Sequence, residues 1–171
     1  MENQIVYMGG STAGIIGLLT MKTLGYDIIG VVTKDKNLAK VANDIDYIGG
    51  CHSTIKDVVV IDKLTKSDYL VCVHGREIIP KHILEMPKHG CINIHPYLYA
   101  YKGADPIGRA IKEQNFNASV GAHYMTEDVD LGEVLCEEFM EVPKAETHKE
   151  LYDSIYCLYI SVITKVFRNI Y

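Results

Sequence analysis

The sequence predicts an α/β domain built on a mostly parallel central sheet, with helices on both faces and at least one antiparallel strand. Three observations carry this. Short apolar runs that read as buried strands alternate with helix-length segments through most of the chain. The first run, QIVYMGG, ends in glycine and passes directly into an apolar helix. The last two strand-like runs follow each other through one tight acidic loop, a connection that parallel neighbours cannot make.

Residues 4–10 read as the first strand, and 12–25 as a largely apolar helix with Gly25 as its C-cap. YDIIGVVTKD (26–35) is a second strand and NLAKVAND (37–44) a short helix. The stretch 45–66 has no clear period, and IKDVVVID (55–62) reads as a strand or a connection. DYLVCVHG (68–75) is a buried strand, and PKHILEMP (80–87) a short helix opened by one proline and closed by another. CINIHP (91–96) is the next strand. GADPIGRAIKEQ (103–114) is a helix with Pro106 in its first turn, where a missing N–H costs little. ASVGAHYMTE (118–127) and GEVLCEEFMEV (132–142) are strands, and 147–167 is a long helix with Thr147 and Glu150 placed as a capping box.

The 171 residues suit one domain, 1–171, with the C-terminal helix at about 147–168 packed back on it. Hydrophobic residues make up 48%, which excludes a disordered chain. The net charge of −5 and the absence of a dense Lys/Arg cluster argue against a stand-alone nucleic-acid binder. Five scattered cysteines without a CxxC pair indicate neither a zinc cage nor a disulfide framework. MENQIVYMGG lacks the basic start and apolar core of a signal peptide. No apolar run reaches the ~18 residues of a membrane span. A reducing cytoplasm is the expected setting.

In such sheets ligands sit beyond the carboxyl ends of the strands. Gly9 and Gly10, Thr33, His74 and Arg76, Asn93 and His95, and the loop Glu127–Asp130 all fall there. GGSTAG follows a strand and opens a helix, so its N–H groups suit an anion. It is neither a GxGxxG turn nor a P-loop, and Gly9, Gly14 and Gly17 equally suit tight turning and helix packing. Asn93 and His95 lie two apart in a strand and so share a face. An amide and an imidazole side by side can donate to one developing oxyanion, and the imidazole can exchange a proton; a structural histidine at a strand end is the plainer alternative. Glu127, Asp128 and Asp130 read as a solvated acidic turn. With His123 they also offer metal ligands, but their spacing matches neither an EF-hand loop nor a zinc motif and no metal is expected.

CINIHP with YKGADPI, followed by VGAHYMTEDVDLGEVL, resembles the formyltransferases that use 10-formyltetrahydrofolate, among them glycinamide ribonucleotide, methionyl-tRNA and sugar-amine formyltransferases. The mark of that family is Asn-x-His at a strand end, a glycine-bearing loop and helix, then His…Asp in a loop followed by Gly. Asn93-x-His95, Lys102-Gly103 with Pro106-Ile107, and His123 with Asp130-x-Gly132 match in that order. The resemblance spans residues 4 to about 142. It implies a Rossmann-like formyltransferase fold and transfer of a formyl group from 10-formyltetrahydrofolate, the co-substrate, to an amine. The catalytic triad would be Asn93, His95 and Asp130. Asn93 and His95 would stabilise the oxyanion, and Asp130 would keep His95 protonated or take the amine proton. The folate would lie between Arg76, Glu77, Ile78 and Ile79 on one side and Glu127 and Asp128 on the other.

The chain departs from the family after His95, where it reads Pro96-Tyr97-Leu98-Tyr99-Ala100-Tyr101-Lys102-Gly103. The tyrosines either stack on an acceptor or pack under the loop. The residues expected at the acceptor are Gly9, Gly10, Ser11, Tyr97, Tyr99, Lys102 and Gly103. The acceptor expected is a small-molecule amine, an amino-sugar nucleotide or a glycinamide-ribonucleotide-like compound. The acidic balance and single domain argue against tRNA, and no membrane partner is expected. The alternatives are a 10-formyltetrahydrofolate hydrolase and a non-catalytic folate- or ligand-binding domain. Tyr152, Tyr156 and Tyr159 on the last helix pack in the core or mark a homodimer surface.

Overall fold

A computed structural model describes residues 3–45 and 49–169. Its elements follow the predicted alternation. β1 (Gln4–Gly9), α1 (Ser11–Thr23), β2 (Asp27–Val32), α2 (Lys36–Asp44), β3 (Cys51–His52) and α3 (Val58–Leu64) form the first half. β4 (Tyr69–Val73), α4 (Lys81–Leu84), β5 (Cys91–Pro96), α5 (Pro106–Lys112), β6 (Asn117–Tyr124), β7 (Val134–Glu141) and α6 (His148–Asn169) complete it.

The strands form one sheet of order β3-β2-β1-β4-β5-β6-β7. The five strands from β3 to β5 pair in parallel, and β6 runs antiparallel to both β5 and β7. Alternate residues of β1 serve opposite faces. Ile5 and Tyr7 enter the core under α1, α2, α5 and α6, while Val6 and Met8 enter the one under α3 and α4. Burial on both faces explains why the parallel strands read as unbroken apolar runs. Strand order reverses between β1 and β4, and a crevice opens at their carboxyl ends.

The unassigned stretch resolves into a two-residue strand and a helix, with residues 46–48 outside the described ones. VVVID is helical although β-branched residues favour strands. Asp57 caps it by accepting the Val59 N–H at 2.8 Å, and Val60 and Leu64 bury one turn apart while Val58 stays 78% exposed. A cap and a buried i, i+4 pair outweigh a propensity worth under about 1 kcal/mol per residue.

The predicted capping box is present. Glu150 N–H donates to Thr147 Oγ1 at 3.2 Å and Thr147 N–H to Glu150 Oε2 at 3.3 Å. α6 then runs across α1, β6 and β7. The glycines of α1 make room beneath it. Tyr7 donates its hydroxyl to the Gly14 carbonyl at 2.6 Å, and a Cβ at Gly17 would strike that hydroxyl. Gly14 and Gly17 therefore serve close packing of α1 on β1.

Candidate active site

β5 carries Asn93 and His95 to the carboxyl edge of the sheet. It is an inner strand, so each side chain has neighbours on both sides. Asn93 is in register with Cys72 of β4 and His123 of β6. The β6–β7 loop then returns Asp130 onto the pair, with a left-handed backbone at φ 56°.

Asp130 is the hub. Its Oδ2 accepts the Gly103 N–H at 2.7 Å and lies 3.0 Å from His95 Nε2. Its Oδ1 lies 3.3 Å from His123 Nε2 and accepts from Asn93 Nδ2 at 3.3 Å. Its backbone carbonyl accepts from Lys102 Nζ at 2.9 Å. Asp130 and His95 are only 8% and 9% exposed. Burial acts to raise the Asp130 carboxyl, but the hydrogen bonds of His123 and His95, the His95 charge and the Gly103 N–H outweigh it and hold the group well below the usual carboxylate range.

Hydrogen positions follow from the partners. His123 Nδ1 faces the Tyr124 carbonyl at 2.8 Å and so carries a proton. His95 Nε2 faces two acceptors, the Asp130 carboxylate and the Gly103 carbonyl at 3.2 Å, and carries one too. His95 Nδ1 is buried without a hydrogen-bond partner among the described residues. Gly103, at φ 79°, lets its N–H and C=O both turn inward. Arg109 holds the same loop by donating to the Lys102 carbonyl at 2.6 Å.

This cluster borders a cavity of about 470 Å³. One end is apolar, lined by Ile78, Ile79, Leu84, Met125 and Val129, with Ile78 86% exposed. The other is polar, lined by His74, Arg76, Asp105 and Tyr152. A second cavity of about 320 Å³ lies over the ends of β1 and β2, and Arg76 and Glu77 line both.

The structure gathers Asn93, His95, Asp130, Arg76, Glu77, Ile78, Ile79, Glu127 and Gly103 around the larger cavity. Gly9 and Gly10 border the smaller one. Lys102 and Gly103 are occupied in fixing Asp130. Asp128 is exposed and lines neither cavity. Tyr97 takes the packing alternative: it is fully buried, and its hydroxyl donates to the Asn115 carbonyl at 2.9 Å. Tyr99 leans on Phe139 and donates to the Asn117 carbonyl, outside both cavities.

Three more residues join the site: His74, which the sequence already placed at the strand ends, and Asp35 and Tyr152, which it did not assign there. His74, at φ 57°, places Nδ1 3.0 Å from Ser11 Oγ and Nε2 2.8 Å from Tyr159 OH and 3.4 Å from Tyr152 OH. Burial, then the charges of His95 and Arg76, lower its pKa to about 4, so the ring is neutral. Asp35 accepts the Asn37 and Leu38 N–H groups at 2.8 and 3.0 Å with Oδ1 and the Ser11 N–H at 2.9 Å with Oδ2. An Asp immediately before a helix is an N-cap signal, so half of that role was legible. The reach of Tyr152 into the cavity depends on where α6 docks.

The fold and this cluster define an α/β domain with a buried polar cluster at the carboxyl edge of a mostly parallel sheet. Residues 54–166 match the model of the formyl transferase family. The chain is 31% identical over 179 residues to a methionyl-tRNA formyltransferase of Alkaliphilus oremlandii (strain OhILAs), covering 95% of this chain and 57% of that one. It belongs to the formyl transferase family. Phosphoribosylglycinamide formyltransferase from Anaplasma phagocytophilum superposes with a TM-score of 0.81 at 20% identity, over 99% of this chain and 87% of that one. A formyltetrahydrofolate deformylase from Pseudomonas putida KT2440 gives 0.76 at 18% identity, over 97% and 64%. The chain spans just over half the length of the curated relatives it matches.

These relatives overturn one expectation. Net charge argued against tRNA, and a small-molecule amine was expected instead, yet the curated relatives are methionyl-tRNA formyltransferases. Net charge sums over the whole surface and does not exclude a local binding face. The phosphoribosylglycinamide formyltransferase, at 20% identity, shares the fold and does not establish a small-molecule acceptor.

Proposed function

We propose that this domain transfers a formyl group from 10-formyltetrahydrofolate to a primary amine, with the aminoacyl end of a charged tRNA as the first acceptor to test. The relatives' name supports that acceptor. The observation that carries the reaction is the Asp130 hub, which holds Asn93 and His95 together beside a cavity with one apolar and one polar end.

The residues present fit the donor. The apolar end, with Ile78 86% exposed, suits a flat heteroaromatic ring, which would cover that surface. His95 Nδ1, buried and unpartnered, retains hydrogen-bonding capacity beside it. When bound, the donor supplies an activated formyl carbonyl. Asn93 Nδ2 donates to Asp130 Oδ1 and also lies 3.3 Å from His123 Nε2; with that histidine nitrogen donating to Asp130, the second Nδ2 hydrogen serves a carbonyl oxygen. His95 has Nδ1 for an oxygen or for the amine proton. Asp130 is the charge partner rather than the proton acceptor, because a carboxylate held so far below its ordinary range is a weak base. It fixes the ring through the 3.0 Å contact with His95 Nε2.

The test is release of tetrahydrofolate from 10-formyltetrahydrofolate in the presence of methionyl-tRNA and a panel of other primary amines. Transfer that needs an amine and falls about 10²–10³-fold in Asn93→Ala supports the reading. Formate release without any amine would replace it with hydrolysis. No folate binding by the folded protein would refute both.

A further inference from the structure

A single hydrogen-bonded chain runs between the two cavities. Asp35 Oδ2 accepts the Ser11 N–H, Ser11 Oγ meets His74 Nδ1, and His74 Nε2 meets Tyr159 and Tyr152. It crosses the ends of β2, α1 and β4 and finishes on α6. Two of its members, Ser11 at φ 59° and His74 at φ 57°, hold left-handed backbone that bulky residues rarely adopt. Strain of this kind collects at functional sites.

Counting protons along the chain shows what is left over. Tyr159 is fully buried, and its hydroxyl hydrogen needs an acceptor, which among the described residues only His74 Nε2 supplies. Nδ1 then carries the ring proton and donates to Ser11 Oγ. Nε2 has one lone pair, and Tyr159 takes it at 2.8 Å. Tyr152, at 3.4 Å, is the surplus donor, and it lines the polar end of the catalytic cavity. Burial, with Tyr156 and Asp105 nearby, raises its pKa, so it remains an O–H donor.

The other end of the chain concerns charge. The N-terminus of a helix on a glycine-rich turn is a natural phosphate cradle. At α1 the Ser11 N–H already faces a carboxylate of this chain. Asp35 is fixed there by its second oxygen on α2 and kept ionised by the Leu38 and Ser11 N–H groups. A phosphate approaching Gly10 and Ser11 would meet a fixed negative charge. Arg76, exposed and lining both cavities, is offset by the same carboxylate.

We infer that Tyr152 is a specificity-determining residue that donates to an uncharged oxygen of the acceptor, and that Asp35 closes the α1 turn to phosphate. This rests on the transferase reading and deepens it: the part of the acceptor reaching this end is an oxygen-bearing, uncharged frame.

The probe is 3′-(L-methionylamino)-3′-deoxyadenosine, a stable mimic of a charged 3′ end, titrated calorimetrically into the protein with 5-formyltetrahydrofolate present. Tyr152→Phe should weaken its binding about tenfold, the worth of one hydrogen bond of about 1.4 kcal/mol. Inorganic phosphate at about 50 mM, well above the mM range of weak anion sites, should leave the wild-type affinity unchanged and weaken it in Asp35→Ala, where the turn is opened. Unchanged binding in Tyr152→Phe, competition by phosphate in the wild type, or no binding of the probe overturns the inference. Formyl transfer is read separately on the same compound: a bound probe with the expected selectivity but no transfer refutes the transferase reading and supports the inference.

Discussion

Replacing Asp35 separates two helix caps that one carboxylate serves. Oδ1 closes α2 through Asn37 and Leu38, and Oδ2 closes α1 through Ser11. An N-cap is worth about 1 kcal/mol and a hydrogen bond to a charged acceptor about 1.5–3 kcal/mol. Asp35→Ala loses both, about 2.5–4 kcal/mol. Asp35→Asn keeps the α2 cap, since Asn caps as well as Asp, but its single oxygen cannot serve both helices and its NH2 would face the Ser11 N–H. It therefore loses only the α1 share, about 1.5–3 kcal/mol. For a chain of this size each kcal/mol lowers Tm by about 2–4 °C, so alanine should cost about 5–15 °C and asparagine less. Urea and thermal unfolding at pH 7 give the values. The acid limb adds a check. The folded pKa of Asp35 lies below its unfolded value of about 3.9, so its contribution is complete above that value and is lost as pH falls through the folded one. The gap between wild type and Asp35→Asn should close on acidification. Asparagine within about 0.5 kcal/mol of wild type, a scatter typical of surface changes, or alanine no worse than asparagine, refutes the double cap.

Asp130→Asn should lower formyl transfer about 10²–10³-fold, because it removes the charge that organises His95 and His123, while folate binding at the apolar end changes little; equilibrium dialysis beside the transfer assay checks both. His74 should stay neutral down to about pH 4, seen in its ring proton shifts. Its folded pKa is lowered, so the unfolded chain takes up that proton first and stability falls between about pH 6.5 and 4; His74→Asn should flatten this part of the profile. Burial pushes the Cys72 and Cys91 thiols up to about 12, so native iodoacetamide labelling at pH 8 should mark exposed Cys157 first and spare those two; mass spectrometry after a short pulse reads it.

The alternation of buried strands with helices dictated the sheet, because each parallel strand must be apolar on both faces and each crossover needs a helix-length segment. Asn93 and His95 were legible as a pair because strand period alone puts them on one face. The capping box at Thr147 and Glu150 was likewise local and was realised. VVVID was not legible, since its helix depends on burying Val60 and Leu64 against a sheet that local sequence does not see.

Only the tertiary structure decided the rest. It turned Tyr97 into a buried prop and Lys102 and Gly103 into clamps on Asp130, because the loop after His95 folds back on the β6–β7 loop 27 residues away. It gave Asp35 a second helix to cap, and it brought Tyr152 of α6 within 3.4 Å of His74, 78 residues earlier. Outside VVVID, local sequence determines which residues form each element and which face each side chain takes. Which distant side chains share a proton or a charge is fixed only when the sheet order and the docking of α6 are fixed.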